Sequence, residues 1–423
     1  MKTMNANLLF LSALAASFAA GCRSYEPKPI DWELEARAGV TNELRIGTLE
    51  DAAVVALIGN RELNAMRLKA AKSSRVARET GWWEDPELDF DVMRIVNPSG
   101  HPFLGGGSLA FTIPLSGALA LDEKAAQAYA AADAADIRAS EADVSAEARK
   151  LAIRLYALRR RGKMLREWNA DGRAESARAN VERLHEAGEV TSTELAGVRR
   201  RMHALRHDIM ENEKETAATE IAFLRLSGLR PGTQIHIALD ETKEVPMPNA
   251  KDDPLELVKH PKVMAALVRL DGTEHALHAE IRRQYPDLKL GPAYVNEEGL
   301  DRFGLVAGIS LPLWNRNRKG IAEAEGARDG ARLAAIDVWR SLVCDAAEAR
   351  ANLVRLLEHP PVPTSEREQA DRLAEAGELT PLEYLDVREE IMGFELAHAD
   401  WRRDVALAAA ELEKFNVNSN ANR

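Results

Sequence analysis

Arg183-Leu184-His185-Glu186-Ala187-Gly188-Glu189-Val190-Thr191 recurs 189 residues later as Arg372-Leu373-Ala374-Glu375-Ala376-Gly377-Glu378-Leu379-Thr380. Both stretches follow a long helical pattern. A glycine just past a helix takes the left-handed C′ conformation without a Cβ penalty. A threonine three residues on is suited to cap a returning helix. Each stretch therefore predicts a helix, a sharp reversal and a second helix.

The rest of the chain repeats around these turns. At a shift of 200, Leu57, Ala65, Pro86 and Leu88 fall on Leu257, Ala265, Pro286 and Leu288. Phe111-Thr112-Ile113-Pro114-Leu115 matches Ile309-Ser310-Leu311-Pro312-Leu313 at a shift of 198. The order is the same in both halves, which marks an internal duplication. Each half reads as helix, two strands, long helix, glycine turn, helix.

Strands are expected at 87–96, 108–115, 287–295 and 303–313. Leu88, Phe90 and Val92 alternate with Glu87, Asp89 and Asp91. Leu109, Phe111, Ile113 and Leu115 do the same, as do Leu288, Leu290 and Tyr294, and Leu305 to Leu313. Period-two alternation gives one apolar face per strand. Gly105-Gly106-Gly107 and residues 296–301 are read as hairpin loops. A first helix covers 50–81 with a break at Gly59-Asn60. A long helix is expected over 121–187, where Ile137, Val144, Leu151, Leu158 and Leu165 recur every seven residues. It would extend about 100 Å. Leu195, Val198, Met202, Leu205 and Ile209 form the matching seam on the return helix. The second long helix begins near Gly320 and must stop at His359-Pro360-Pro361-Val362-Pro363, because proline removes donors and clashes with the preceding turn.

The 423 residues carry a net charge of −11, with 29% charged and 5% aromatic residues. Such an acidic chain does not suit a general nucleic-acid partner. After the first thirty residues no apolar run reaches the ~20 needed for a spanning helix. Lys2, the apolar run 8–18 and Ala19-Ala20-Gly21 before Cys22 read as a secretory signal. The small residues before Cys22 resemble a bacterial lipobox, with Ala19 where leucine is preferred. An ordinary signal with an incidental cysteine is the competing reading. Arg23 after the cysteine implies outer-membrane sorting by that resemblance. Cys344, the only other cysteine, reads as a small buried hydrophobe.

Four strands cannot close a membrane barrel, since the smallest single-chain barrels use eight. Either the strands form a soluble sheet or several chains pool them. Here the resemblance becomes specific. Thr48-Leu49-Glu50-Asp51-Ala52, Asp85-Pro86-Glu87-Leu88, Pro286-Asp287-Leu288-Lys289-Leu290-Gly291-Pro292, Ile309-Ser310-Leu311-Pro312-Leu313-Trp314-Asn315-Arg316-Asn317 and the two glycine turns resemble the TolC-like outer-membrane factor (outer membrane efflux protein) family, in its lipoprotein, heavy-metal-efflux-like branch. The resemblance covers about residues 45–415. It implies a mainly α fold with a small β part: a duplicated helix, β-hairpin and coiled-coil hairpin unit. It further implies a homotrimer with a 12-stranded β-barrel and an α-helical tunnel. Partners would be a periplasmic adaptor (membrane fusion protein), an inner-membrane transporter and outer-membrane lipid. The function implied is a passive, non-enzymatic export duct for small solutes or metal ions, without cofactor. The expected organisation is a signal peptide at 1–21, a lipidated linker at 22–44, repeats at 45–230 and 251–415, a linker at 231–250 and a disordered tail at 416–423. The proline break at 360–363 departs from the family pattern.

Candidate site residues follow. Cys22 is the lipidation site implied by the lipobox resemblance. Gly188, Glu189, Thr191, Gly377, Glu378 and Thr380 form the tips, which in the family meet the adaptor. Glu368, Asp371 and Glu375 share a helical face and could form an acidic entrance ring, or simply a solvated face. Gly105 to Gly107 lack a following Lys-Ser/Thr and are not a phosphate cradle. His203 and His207 stand four apart, a spacing that could serve one metal, but no further ligand completes the shell; solvated helix histidines are the plainer reading. A periplasmic adaptor or a structural coiled-coil lipoprotein is the alternative function. An adaptor would normally carry one hairpin with lipoyl-like and barrel domains, and a structural rod would not need four alternating strands.

Overall fold

A computed structural model of the chain describes residues 25–37, 43–94, 96, 103–239, 253–297, 300–361 and 367–415. Two compact units separate at residue 40. The first contributes one short helix, α1 (Trp32–Arg37), begun by Asp31, whose carboxylate accepts from the N–H groups of Glu33 and Leu34. The signal segment, Cys22 and the tail 416–423 lie outside the described residues, as does most of the linker 231–250.

The second unit runs β1 (Glu43–Ile46), α2 (Leu49–Gly59), α3 (Arg61–Arg78), β2 (Glu87–Arg94), β3 (Phe103–Ile113), α4 (Ala118–Asn169), α5 (Gly172–Glu186), α6 (Ser192–Leu226) and β4 (Gln234–Ile237). A 3₁₀ turn (Glu256–Lys259) then leads to α7 (Pro261–Arg282), β5 (Leu288–Glu297), β6 (Leu300–Ile309), α8 (Arg318–Glu358), α9 (Arg367–Glu375) and α10 (Pro381–Glu413). Helix, hairpin and long helices thus recur in one order. Asn60 both ends α2 and caps α3, its Oδ1 accepting from Leu63 N–H at 2.8 Å.

Helix α4 is the central post, packing against α2, α3, α6, α7 and α10. Two seven-residue ladders explain how it serves so many neighbours. Ala118, Ala125, Ala132, Ala139 and Ala146 are buried in its upper part, and Leu151, Leu158 and Leu165 in its lower part. Alanine admits close helix approach; leucine fills a wider seam. Between them, Ala148, Leu151, Ala152 and Leu155 meet Ile46, Phe223 and Ile235, where β1 and β4 pair in parallel. Asn212 interrupts the apolar seam of α6. Its Nδ2 donates to Leu158 O at 3.1 Å, and it fits because Gly162 has no Cβ, which would lie 2.6 Å from that nitrogen. A single polar seam residue of this kind fixes helix register.

Four expectations are corrected. The first long helix is not continuous over 121–187. It breaks at Ala170-Asp171, where Asp171 turns extended and its carboxylate accepts from Arg173 N–H at 2.9 Å. Gly105 to Gly107 are not a hairpin loop but the middle of β3, opposite Val92, Asp91 and Phe90. Side chains there would crowd the neighbours: a Cβ on Gly106 would lie 3.1 Å from Tyr294 O, and one on Gly107 3.2 Å from Asp89 O. Residues 296 and 297 extend β5, and β6 already begins at Leu300, so the second hairpin loop shrinks to its tip. Cys344 is exposed. The buried stripe of α8 is Leu342, Ala346, Ala349 and Leu353, and Cys344 stands two residues off it, on the opposite side of the helix.

Overpacking the alanine ladder tests this account. Ala132→Leu should cost about 1–3 kcal/mol of stability, read as a lowered unfolding midpoint. An unchanged midpoint would show that α4 does not rely on close approach there.

Candidate functional site

The four larger strands form one antiparallel sheet in the order β2-β3-β5-β6. Its register sorts most of the side chains; Arg94, Asn296 and Asp301 join the apolar face near the hairpin ends, and Met93, Val295, Leu300 and Val306 the other. Leu88 stands opposite Leu109 and Phe90 opposite Gly107. Phe111 meets Leu290 and Ile113 meets Leu288. Tyr294 meets Phe303, Pro292 meets Leu305 and Leu288 meets Ile309. All of these share one face. The other carries Glu87, Asp89, Asp91, Lys289 and Arg302 among small residues such as Gly106, Ser108, Gly291 and Gly304. Lys289 and Glu87 are paired across it at 2.8 Å. The apolar face is uncovered: Phe90 is 76% exposed, Phe303 84% and Leu305 78%. Isolated exposed apolar residues are ordinary, but a whole sheet face is not. The outer edges of β2 and β6 have no strand partner among the described residues.

At the far ends of the helices, the two turns have the same geometry. Gly188 has φ +81° and Gly377 φ +73°. Glu189 N–H donates to Leu184 O at 2.9 Å, and Glu378 N–H to Leu373 O at 3.0 Å. Thr191 caps α6 and Thr380 caps α10, each in a reciprocal box with the glutamate three residues on, Glu194 and Glu383. Those two glutamates were not singled out from the sequence, although Thr-x-x-Glu is the signal for such a box. Backbone and hydroxyl hydrogen bonds from Thr191 and Thr380 hold both carboxyls below the usual glutamate range. Val181, Val190, Leu195 and Val198 bury the first tip, with Leu382 and Leu385 of the second packed on it. Glu189 and Glu378 stay exposed.

Just behind the tips lies a charged network that sequence reasoning missed. Arg388 of α10 is 3% exposed. It pairs with Asp171 at the α4–α5 break and with Asp371 of α9, the latter at 2.9 Å. Its guanidinium lies over Trp168, 4.4 Å from the ring centroid. Tyr384 O–H donates to Asp371 at 2.9 Å. Arg173 reaches Asp371 at 2.8 Å and Glu375 at 2.7 Å. Two members of the expected acidic ring, Asp371 and Glu375, are therefore engaged by arginines; Glu368 lies in α9, with its side chain outside the described residues. Burial opposes the Asp171 charge, but Arg173 N–H and Arg388 outweigh it and hold the carboxyl below its usual value. Burial and the bond to Asp371 push the Tyr384 phenol up to about 12. His203 and His207 are exposed, and no group of three metal-ligating side chains occurs among the described residues.

No family model and no characterised relative matches the sequence. Solved structures do. A membrane protein from Pseudomonas aeruginosa superposes with a TM-score of 0.73 at 18% identity, over 93% of this chain and 96% of that one. The CmeC outer membrane channel of Campylobacter jejuni gives 0.71 at 15% identity, over 93% of each chain. The chain has the fold of the TolC-like outer-membrane channels. The open-state MtrE outer membrane channel of Neisseria gonorrhoeae also matches, with a TM-score of 0.65 at 15% identity over 87% of this chain and 88% of that one. Two of these three structures are outer membrane channels.

The network yields a prediction for this TolC-like fold. Arg388→Met leaves Asp171 and Asp371 without their buried cation and should destabilise by about 3–5 kcal/mol. Because the Asp171 value is depressed, its stabilisation is present above the usual aspartate value near ~3.9 and is lost as pH falls through the folded value. Asp171→Asn should therefore flatten the acid limb of a plot of unfolding midpoint against pH. An acid limb unchanged in that variant would remove Asp171 from the account.

Proposed function

We propose that this protein is the outer-membrane duct of an efflux system, with the sheet as its share of a membrane barrel. The observation that carries the reading is the sorting of the sheet into one mostly apolar, uncovered face and one face that holds most of its charges and small residues. An apolar face suits lipid and a polar face suits a water-filled lumen. The open edges of β2 and β6 then require neighbours, because unpaired amides in hydrocarbon cost several kcal/mol each. Three copies, as the resemblance implies, bring four strands each to a barrel of twelve. The long helices continue the duct toward a periplasmic adaptor and an inner-membrane transporter. Small solutes and metal ions both remain within this reading. We further propose repeats over 45–230 and 251–415, a cleaved signal at 1–21 and lipid attachment at Cys22.

Three variants test it. Phe111→Arg puts a charge on the apolar face and should cost about 2–4 kcal/mol near the bilayer midplane. A single-chain mass for the native protein in detergent would overturn the shared barrel. The double variant Glu189→Lys/Glu378→Lys should assemble normally yet weaken export and adaptor crosslinking. Normal values of both would leave the tips as folding elements only. Cys22→Ser should abolish incorporation of radiolabelled palmitate, and undiminished labelling would reject the anchor.

A further inference from the structure

Away from the sheet and the tips, three of the long helices leave a cleft between them. Residues of α4, α6 and α10 enclose about 620 Å³, the size of a small-molecule site. On the α4 and α10 side its charges are largely settled. Arg161 pairs with Asp400, and Arg403 spans Asp400 at 2.8 Å and Asp404 at 2.9 Å. Even with Arg154, exposed on α4, the lining holds five carboxylates against three arginines.

The α6 wall is where charge is left over. Asp208, Asn212 and Glu215 follow one another at four and three residues, so they stand in one row along the helix. All three line the cleft. Asp208 and Glu215 are exposed, and their carboxylates make no hydrogen bond or ion pair among the described residues. Glu215 is near enough across the cleft for its charge to act on Arg403. Glu211, on the same wall, is already held by Lys214 at 3.1 Å. Between the two acids sits Asn212, only 6% exposed. Its Nδ2 donates to Leu158 O at 3.1 Å, while its Oδ1 is enclosed and has no donor. The bond to Leu158 settles which way the amide points, so it is the oxygen that is left over. An acceptor buried without a donor is costly, and a donor brought into the cleft is the partner this oxygen lacks.

The row therefore calls for three donors in a line, with positive charge at both ends. Asp208 and Glu215 lie about 10 Å apart along the axis, at a rise of about 1.5 Å per residue. One metal ion does not answer such a row, and no group of three metal-ligating side chains occurs among the described residues. A linear polyamine does answer it. Its terminal ammonium groups meet the two carboxylates, and an internal amine donates to Asn212 Oδ1. Its methylenes lie against Leu158 and Leu407, the apolar part of the lining.

We propose that the cleft between α4, α6 and α10 is a binding site for a linear polyamine, held by Asp208, Asn212 and Glu215. The proposal stands whether or not the sheet closes a barrel. The full chain in detergent at low salt, dialysed to equilibrium against radiolabelled spermidine, is the test. Saturable binding of one spermidine per chain is expected. Asp208→Asn/Glu215→Gln changes two exposed side chains and should weaken it about tenfold. Terminal diaminooctane has the same length, with carbon in place of the internal nitrogen, and should bind about tenfold more weakly than spermidine. Absence of saturable binding, undiminished binding to the double variant, or equal affinity for the two amines overturns the site. Full displacement of spermidine by an equal concentration of magnesium overturns it too, since a diffuse counter-ion layer would behave in that way.

Discussion

The edge of a sheet is a row of backbone amides and carbonyls that needs partners, and this chain's four-stranded sheet leaves two such edges without a strand among the described residues. β2 and β6 end the sheet on either side, and the face between them is apolar from Leu88 across to Leu305. The sheet is therefore incomplete as it stands. What completes it must supply strands at the edges and an apolar medium on the face. On the function proposed above, copies of the same chain in a bilayer do both, and the hairpin order leaves β2 and β6 antiparallel when one chain meets the next. The glycines of β3 and β5 belong to the same constraint. Gly106 and Gly291, on the face that holds most of the charges, let neighbouring strands come close.

The helices answer a different demand. They run far from the sheet and reverse twice at a common end. Long helices packed side by side cannot draw on one thick core, so stability is spread over a chain of small clusters along α4. Alanine contacts serve near the sheet, the β1–β4 layer lies midway, and the valine and leucine cluster closes the tips. Arg388 stands just behind the tips. Both long hairpins are interrupted there, the first at Asp171 and the second by the prolines after Glu358. One guanidinium, stacked on Trp168 and shared by Asp171 and Asp371, joins the two halves where helix continuity is lost.

The parts legible in the sequence are those set by local chemistry. The tips were readable because glycine and threonine each impose one backbone state, and the strands because side-chain alternation has a period of two. The strand faces also followed, since Leu88, Phe90 and Val92 must share a side whatever they pair with. Glycine in β3 was not legible, because its signal for a loop and its signal for close strand approach are the same letter. The break at Ala170-Asp171 was hidden by the heptads on either side. Arg388 lies 217 residues from Asp171, and no spacing rule links residues so far apart. Cys344 was misread because polarity alone does not say which side of an amphipathic helix a small residue occupies.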